Sequence, residues 1–521
     1  MKETSIKKSV IIITTIVVVC KVLGFLKNSL LANFFGTSFI VDAYTMTFSI
    51  GLIMSGWVAG LIGGFTPIYK KVEVECDNDS NSVKRYSSNV FNWIYIISVV
   101  LIILLEIFAS QLVDAVAPGF SDEAKVLTTR FFRIYSLGLL FYVGYRYFKE
   151  YLVCLKKSIL ATIPDLFISS LCILGIVLGY YIEIIWLIVS YVIAVGAQFL
   201  FELVSSILVG FRYKPFLKID SNIKALLILF VPVFLSDMLA EINVLIDKIF
   251  ASKLDEGVVS VLEYANTLKD FAYQIGTTAL VLIVFPVLSK FWAEKKYDDF
   301  ESLTIKSLNY MSAFFMPVVG FAFATSHRII QIVYFRGAFD SAALIMSSRA
   351  LMAYVFALLP LGYRVVFLKS FYSSRKSIYI LICSLVNVSL NVGLNFLFVN
   401  MFGYFGLALS TSIAAALTML PYLLIIRRIL PSFSYKKFFI EGSKCLACSL
   451  LFTIPLFFFE HLFGFYPSSF AFNFLIIFGL FVISFVIYIF FAVRVFKVEE
   501  IKYLFDKFKN KLFHRKATNE N

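Results

Sequence analysis

Apolar runs long enough to cross a bilayer dominate this chain. A hydrocarbon core needs roughly 20 helical residues per crossing. Fourteen intervals meet that length: 9–34, 41–68, 89–113, 128–148, 159–180, 184–209, 224–250, 258–288, 306–326, 342–368, 377–399, 404–426, 438–459 and 469–493. Hydrophobic residues make up 60% of the chain, which excludes a soluble globular protein. Inside lipid every backbone N–H and C=O must find an internal partner, so the runs predict an all-α integral membrane protein. Lys7-Lys8 ahead of the first run looks like the start of a signal peptide, but the run continues through Lys21 without a small-residue cleavage site. It reads as the first transmembrane helix.

The net charge of +14 suggests nucleic acid only until its location is considered. One alternate set of loops carries Lys70, Lys71, Lys84 and Arg85; Lys149, Lys156 and Lys157; Arg212, Lys214, Lys218 and Lys224; Lys290, Lys295 and Lys296; Lys369, Arg375 and Lys376; and Arg427, Arg428, Lys436 and Lys437. The other set holds only Lys125, Lys253, Arg328 and Arg336. Cytoplasmic loops carry the excess of Lys and Arg, so both termini are expected in the cytoplasm.

The two halves repeat. Phe120 recurs as Phe339, Arg130 as Arg349, Tyr135 as Tyr354, Ser158 as Ser377 and Ala32 as Ala251, always 219 positions on. Gly144-Tyr145-Arg146 returns as Gly362-Tyr363-Arg364, one residue out of step. The interval covers six spans, an even number, so the halves share one orientation. The expected architecture is two parallel six-helix bundles, residues 1–215 and 216–430, related by a pseudo-twofold axis along the membrane normal. Two extra helices follow in 431–495, then a basic cytoplasmic tail, 496–521. In the tail Ile501, Leu504, Phe505, Phe508 and Leu512 follow helical spacing, which suits a helix on the inner leaflet.

Metal and redox sites find little support. Cys20, Cys76, Cys154, Cys172, Cys383, Cys445 and Cys448 are scattered, and Cys445 and Cys448 lie in an apolar run without nearby His, which reads as apolar filler. His327, His461 and His514 are too far apart to suggest a ligand cluster. No GxxxxGK[ST] phosphate loop is present, so transport would draw on an ion gradient, the membrane potential or consumption of product.

Ionisable groups inside the spans are expensive and therefore functional candidates. Lys21 and Lys27 sit about 9 Å apart in height and about 120° apart around a helix, with Gly24 between them to permit a bend. A lysine that merely snorkels to the interface is the bland alternative. In the eighth span Glu263, Thr267, Asp270 and Gln274 make one polar stripe; in the seventh, Asp237, Glu241 and Lys248 do the same. Internal salt bridging explains such stripes as well as substrate contact does. Asn387, Asn391 and Asn395 recur every four residues in the eleventh span, and interhelical amide bonding is the simplest account.

Five ordered motifs resemble the MurJ (MviN) family of lipid II flippases, within the flippase and multidrug-exporter superfamily. They are Lys21-Val22-Leu23-Gly24-Phe25-Leu26-Lys27-Asn28 with Ala32-Asn33-Phe34-Phe35-Gly36 and Asp42-Ala43-Tyr44; Ala117-Pro118-Gly119-Phe120; Leu245-Ile246-Asp247 through Tyr264-Ala265 to Phe285-Pro286; Phe335-Arg336-Gly337-Ala338-Phe339; and Gly406 through Ser412. Lysines stand at 21 and 27 where the family usually has Arg, Asn28 replaces an Asp, and Thr267 stands at a family Arg position. Ser55-Gly56-Trp57 through Gly63-Gly64-Phe65 has no charge where the family carries an Arg pair and a Glu.

The resemblance implies a flippase, not an enzyme, that moves an undecaprenyl-pyrophosphate-linked saccharide, lipid II first, across the bacterial cytoplasmic membrane by alternating access. It implies substrate contacts at Lys21, Lys27, Asn28, Asp42, Thr267, Lys269 and Asp270. It also implies a sodium site at Asp247, Asn387, Asn391 and Thr411, with sodium or a proton as coupling ion and no other cofactor. Partners would be the lipid-linked saccharide, membrane lipids and cell-wall synthesis proteins, with no nucleic acid. The rival readings are an exporter of another lipid-linked repeat unit, a cation-coupled drug exporter, and a non-transporting cell-wall scaffold.

Overall fold

The computed structural model describes residues 3–75, 80–374, 376, 378–464, 469–503 and 505–506, and among them every regular element is helical. The chain divides into two compact units, Met1–Ser260 with Arg336–Asp340, and Val261–Phe335 with Ser341–Asn521. The first unit holds α1 (Glu3–Phe35), α2 (Phe39–Glu75), α3 (Ser80–Ile107), α4 (Ala109–Val116), α5 (Asp122–Cys154), α6 (Asp165–Tyr181), α7 (Trp186–Leu208) and α8 (Ser221–Ser252). The second unit takes all but the first turn of α9 (Val258–Ala293). It continues with α10 (Tyr297–Ala324), α11 (Ser326–Tyr334), α12 (Ser341–Tyr354), α13 (Leu358–Ser373), α14 (Ile378–Leu417), α15 (Met419–Ile429), α16 (Tyr435–Phe463) and α17 (Phe470–Phe490).

Helix occupies at least part of each of the fourteen intervals read from the sequence. Among the described residues ten helices are long and apolar enough to cross a membrane, or eleven if the bent α9 is one span. The fifth interval is helical only from Asp165, and its 17-residue helix is short for a full crossing. Ile378–Ile429 passes as one 52-residue stretch, yet Gly403 (φ 56°, ψ −134°) interrupts it in a conformation that only glycine adopts readily. Beyond Gly403 the chain folds back on itself. Asn395 bonds Ser410 and Asn387 bonds Thr418, the pairing of an antiparallel helical hairpin. Gly406 permits the close approach: a Cβ there would lie 2.1 Å from the Phe398 carbonyl oxygen.

Local chemistry explains where helices start and bend. Ser121 caps α5 by accepting from the Ala124 N–H, with Asp122 and Glu123 in the first turn, and Asp220 caps α8 by accepting from Ile223. Within α9 the segments Val258–Thr278 and Ile283–Ala293 are inclined by 46°. Pro286 lies just beyond the break; it has no N–H to give residue 282 and its ring crowds that carbonyl. α1, by contrast, runs unbroken through Gly24.

Aromatic side chains build the interior. In the first unit Phe65, Tyr86, Tyr147, Phe148 and Phe211 form a cluster from α2, α3, α5 and the segment after α7. Ring contacts there are edge-on or offset, as in Phe65 on Tyr147 at 5.4 Å. In the second unit Cys445 and Cys448 are buried against Phe452, Leu456 and Tyr488, apolar surroundings of the kind expected for filler. Polar bonds fasten α17 and the segment after it at both ends. Arg328 joins Glu460 and Asn473 at one, and Asn309 donates to Glu500 Oε1 at 2.8 Å at the other. Burial pushes the Glu500 carboxyl above the usual range despite that bond.

The repeat is visible in the first unit's loops. A Cβ on Gly119 would lie 2.2 Å from the Ser252 carbonyl oxygen, and one on Gly337 would lie 2.2 Å from that of Asn33. The Ala338 N–H donates to the same Asn33 oxygen at 2.8 Å. Asn33 and Ser252 are 219 positions apart and Gly119 and Gly337 are 218 apart, the repeat interval and its one-residue slip. Each repeat's loop therefore closes on the end of the other repeat's first helix. Of the stripes read from sequence, the side chain of Asp237 and residues Leu504, Phe508 and Leu512 lie outside the described residues, as do the side chains of Ser55 and Gly63 and residues Cys76, Arg375, Ser377 and His514.

Candidate functional site

In the first unit, Lys27 on α1 is half-buried. Its Nζ lies 5.9 Å from the centroid of Tyr44 and 6.0 Å from that of Phe48, both on α2. Phe48 in turn meets Tyr135 of α5 and Tyr191 of α7. The ammonium thus faces an aromatic wall, a cation–π setting worth about 0.5–1 kcal/mol where water still reaches it. Lys21 is exposed, and Asn28 is half-buried and partnered.

Asp42 is placed differently. It is buried, and both its oxygens serve the start of α9: Oδ2 accepts from the Gly257 N–H at 2.7 Å, and Oδ1 from the Ser260 N–H at 2.8 Å and the Ser260 hydroxyl. It acts as a cap supplied from another helix, satisfying N–H groups that a helix start leaves open. Lys248 of the seventh-span stripe donates to Ser49 on α2 at 2.7 Å.

In the second unit, Lys269 on α9 is buried, with Nζ 3.0 Å from Asp270 Oδ1 and 5.5 Å from the centroid of Tyr354. Asp270 is the more open partner and also accepts from Asn266 at 3.2 Å. Thr267 is partnered as well. Arg364 on α13 acts electrostatically on Tyr273, on the same helix as Asp270, and on Cys383 and Tyr422. Two apolar cavities adjoin these helices. One of about 560 Å³ is lined by Phe323, Phe356, Pro360, Leu450 and Phe457, and one of about 460 Å³ runs from Lys269 to Phe481 and Phe485 of α17.

The family model described as "Lipid II flippase MurJ" matches residues 31–479. The chain belongs to the MurJ family. A probable lipid II flippase MurJ of Rickettsia prowazekii (strain Madrid E) is 24% identical over 415 residues, 78% of this chain and 81% of that protein. Another, from Thermotoga maritima, is 24% identical over 489 residues, 92% of this chain and 95% of its own length. Among solved structures, a lipid II flippase MurJ in an inward closed conformation superposes with a TM-score of 0.77 at 23% identity, covering 93% of this chain and all of that one. A multidrug resistance MATE family transporter, inward-facing, gives 0.68 at 15% identity over 80% of this chain and 96% of its own.

The family-implied sodium ligands divide between the units, Asp247 in the first and Asn387, Asn391 and Thr411 in the second. Asn391 Oδ1 accepts from Asn395 at 3.1 Å, Asn395 Oδ1 from Ser410, and the Thr411 hydroxyl donates to the Leu407 carbonyl at 3.0 Å. The buried atom left without a partner is Asn391 Nδ2, a donor, which repels a cation. So arranged, the amides suit hairpin packing and not sodium.

Sequence reasoning passed over Arg146 and Arg364 as site residues. Both lie inside predicted spans and recur in the Gly-Tyr-Arg repeat, which was used only for symmetry. Arg146 has a buried Nε without a partner. An arginine recurring in corresponding spans of both repeats was the available signal.

Proposed function

We propose that this chain carries lipid II from the inner to the outer leaflet of a bacterial cytoplasmic membrane, with both termini cytoplasmic. The family match over residues 31–479 carries the reading. The chemistry supports it: a pyrophosphate headgroup entering a low-dielectric space needs cations to offset lost hydration. Lys27 over its aromatic wall, with Lys21 six residues before it, supplies them from the first unit. Lys269 and Arg364 do so from the second. The apolar cavities beside α16 and α17 suit the polyprenyl tail. Alternating exposure of the headgroup to the two sides then moves it across. An inside-negative potential assists return of a cationic empty site, at about 2.3 kcal/mol per elementary charge per 100 mV. The protein binds and moves its substrate without changing its bonds. Its partners are the lipid-linked saccharide, the surrounding lipids and the cell-wall enzymes that consume the delivered precursor.

The test is rescue of a strain depleted of its own lipid II flippase, with variants at equal expression. The wild-type chain and Lys27→Arg are expected to restore growth, and Lys27→Gln to lose most of that rescue. Failure of the wild-type chain to rescue, or full activity of both Lys21→Gln and Lys27→Gln, overturns the reading of these lysines as the headgroup's cations.

A further inference from the structure

A row of polar groups on α7 has no place in the transport reading above. Gln198, Glu202 and Ser206 follow one another every four residues, so they share one face of the helix. All three are buried, Glu202 completely. Gln198 Oε1, both carboxylate oxygens of Glu202 and Ser206 Oγ are each without a hydrogen-bond partner. Gln198 uses its amide nitrogen on the Pro164 carbonyl at 2.9 Å, which leaves its oxygen as an acceptor awaiting a donor.

The helices packed on α7 bring two charges to bear on Glu202: Lys149 of α5 and Asp165 at the head of α6. They are committed to each other. Lys149 Nζ donates to Asp165 Oδ1 at 2.6 Å, to Oδ2 at 2.7 Å and to the Tyr145 hydroxyl at 2.8 Å. Tyr145 itself donates to Asp165 at 2.5 Å. The cluster therefore holds one lysine and two carboxyls, and the lysine is taken. An ionised Glu202 would be a buried charge with neither counter-ion nor donor, the costliest of buried groups. A protonated Glu202 is neutral, and its O–H is a donor one helical turn from the waiting Gln198 oxygen.

We propose that Glu202, with Gln198, is a proton-binding site: the carboxyl carries its proton while Lys149 is held by Asp165 and Tyr145, and releases it when Lys149 turns to Glu202. The exchange balances. The Glu202 O–H bond breaks and its proton leaves to water. The lysine keeps its own protons and compensates the new carboxylate. Asp165, whose side chain is 30% exposed against 4% for Glu460, is left ionised with the Tyr145 hydroxyl and solvent. The site is thus an acid whose proton occupancy reports which carboxyl the lysine holds. It goes beyond the lipid II reading and does not depend on it.

Infrared spectroscopy of the full chain in lipid nanodiscs tests this without transport. At neutral pH the wild-type protein should show a protonated-carboxyl stretch that shifts in D2O and fades as the pH is made alkaline. Glu202→Gln should remove that band, and Asp165→Asn, which frees Lys149 from its carboxylate, should make it fade at lower pH than in the wild type. Absence of a Glu202-dependent band in the wild type, its survival in Glu202→Gln, or an unchanged titration of the band in Asp165→Asn would overturn the proposal. Should Glu202→Gln fail to fold, Lys149→Met provides the second arm. With no lysine to receive, Glu202 should hold its proton to higher pH than in the wild type, and an unchanged titration of the band counts against the site.

Discussion

Glu460 and Glu202 are carboxylates buried in membrane helices, and their surroundings are opposite. Glu460 on α16 receives Arg328 on both oxygens, Nε at 3.0 Å and Nη2 at 3.1 Å, while Arg328 Nη1 donates to Asn473 on α17 at 2.8 Å. Every charge there is matched by planar, bidentate geometry. Glu202 on α7 has a lysine nearby that is bound elsewhere. The first arrangement is a fastener: it joins α11, α16 and α17 within one unit and has nothing left to offer a ligand. The second has unfilled capacity, and unfilled capacity inside a membrane helix must be met by a proton, an ion or a moving side chain. Burial alone therefore does not distinguish a structural charge from a working one; the count of satisfied bonds does.

The most forceful way to break the comparison is to make Glu460 resemble Glu202. Arg328→Met removes the counter-ion, and the stranded carboxylate should cost about 3–5 kcal/mol of unfolding free energy in detergent. The double variant Arg328→Met/Glu460→Leu should recover most of that loss, since replacing both members with apolar groups is often neutral. A double variant as unstable as the single one would mean that the pair contributes attraction of its own. A milder cut is Asn473→Ala, which removes the acceptor 2.8 Å from Arg328 Nη1. Its expected cost is about 1–3 kcal/mol, read in the same unfolding assay.

The converse substitution sharpens the other side. Glu202→Gln keeps the shape of a protonated acid, so its stability at neutral pH should stay within about 1 kcal/mol of the wild type. A loss of the size expected for Arg328→Met would show that Glu202 is ionised and paired.

Much of this was legible in the chain itself. Apolar runs located the helices, and pairs such as Phe120 and Phe339 at a constant interval located the repeat. Loop counting places Arg328 among the few charges of the less basic loops, because a cation beside a helix end in sequence carries no sign of the Glu460 more than a hundred residues later. Glu202 could have been found. The helical spacing that exposed Glu263, Thr267 and Asp270 also joins Gln198, Glu202 and Ser206, but a single acid inside a Phe- and Leu-rich run draws less notice than a cluster. Amide bonding between helices was among the readings that the asparagine spacing allowed, whereas the capping by Asp42 was beyond sequence, since spacing identifies a face and not what that face meets.

The asparagine stripe provides the smallest test of whether satisfied polar groups are structural. Asn387 Nδ2 donates to the Thr418 hydroxyl at 3.0 Å, across the hairpin made by Gly403, and that hydroxyl also donates to the Ala414 carbonyl. A hydrogen bond between membrane helices averages only about 0.6 kcal/mol, because the separated helices find other partners. A double-mutant cycle of Asn387→Ala and Thr418→Ala should therefore return a coupling of about that size. It should leave growth rescue intact, as expected of a group whose bonds are filled within the fold. If the coupling is near zero while rescue falls sharply in Asn387→Ala alone, the amide serves a ligand or ion in another state of the cycle. Filled bonds in one conformation would then no longer mark a residue as structural, and the contrast drawn between Glu460 and Glu202 would need the same qualification.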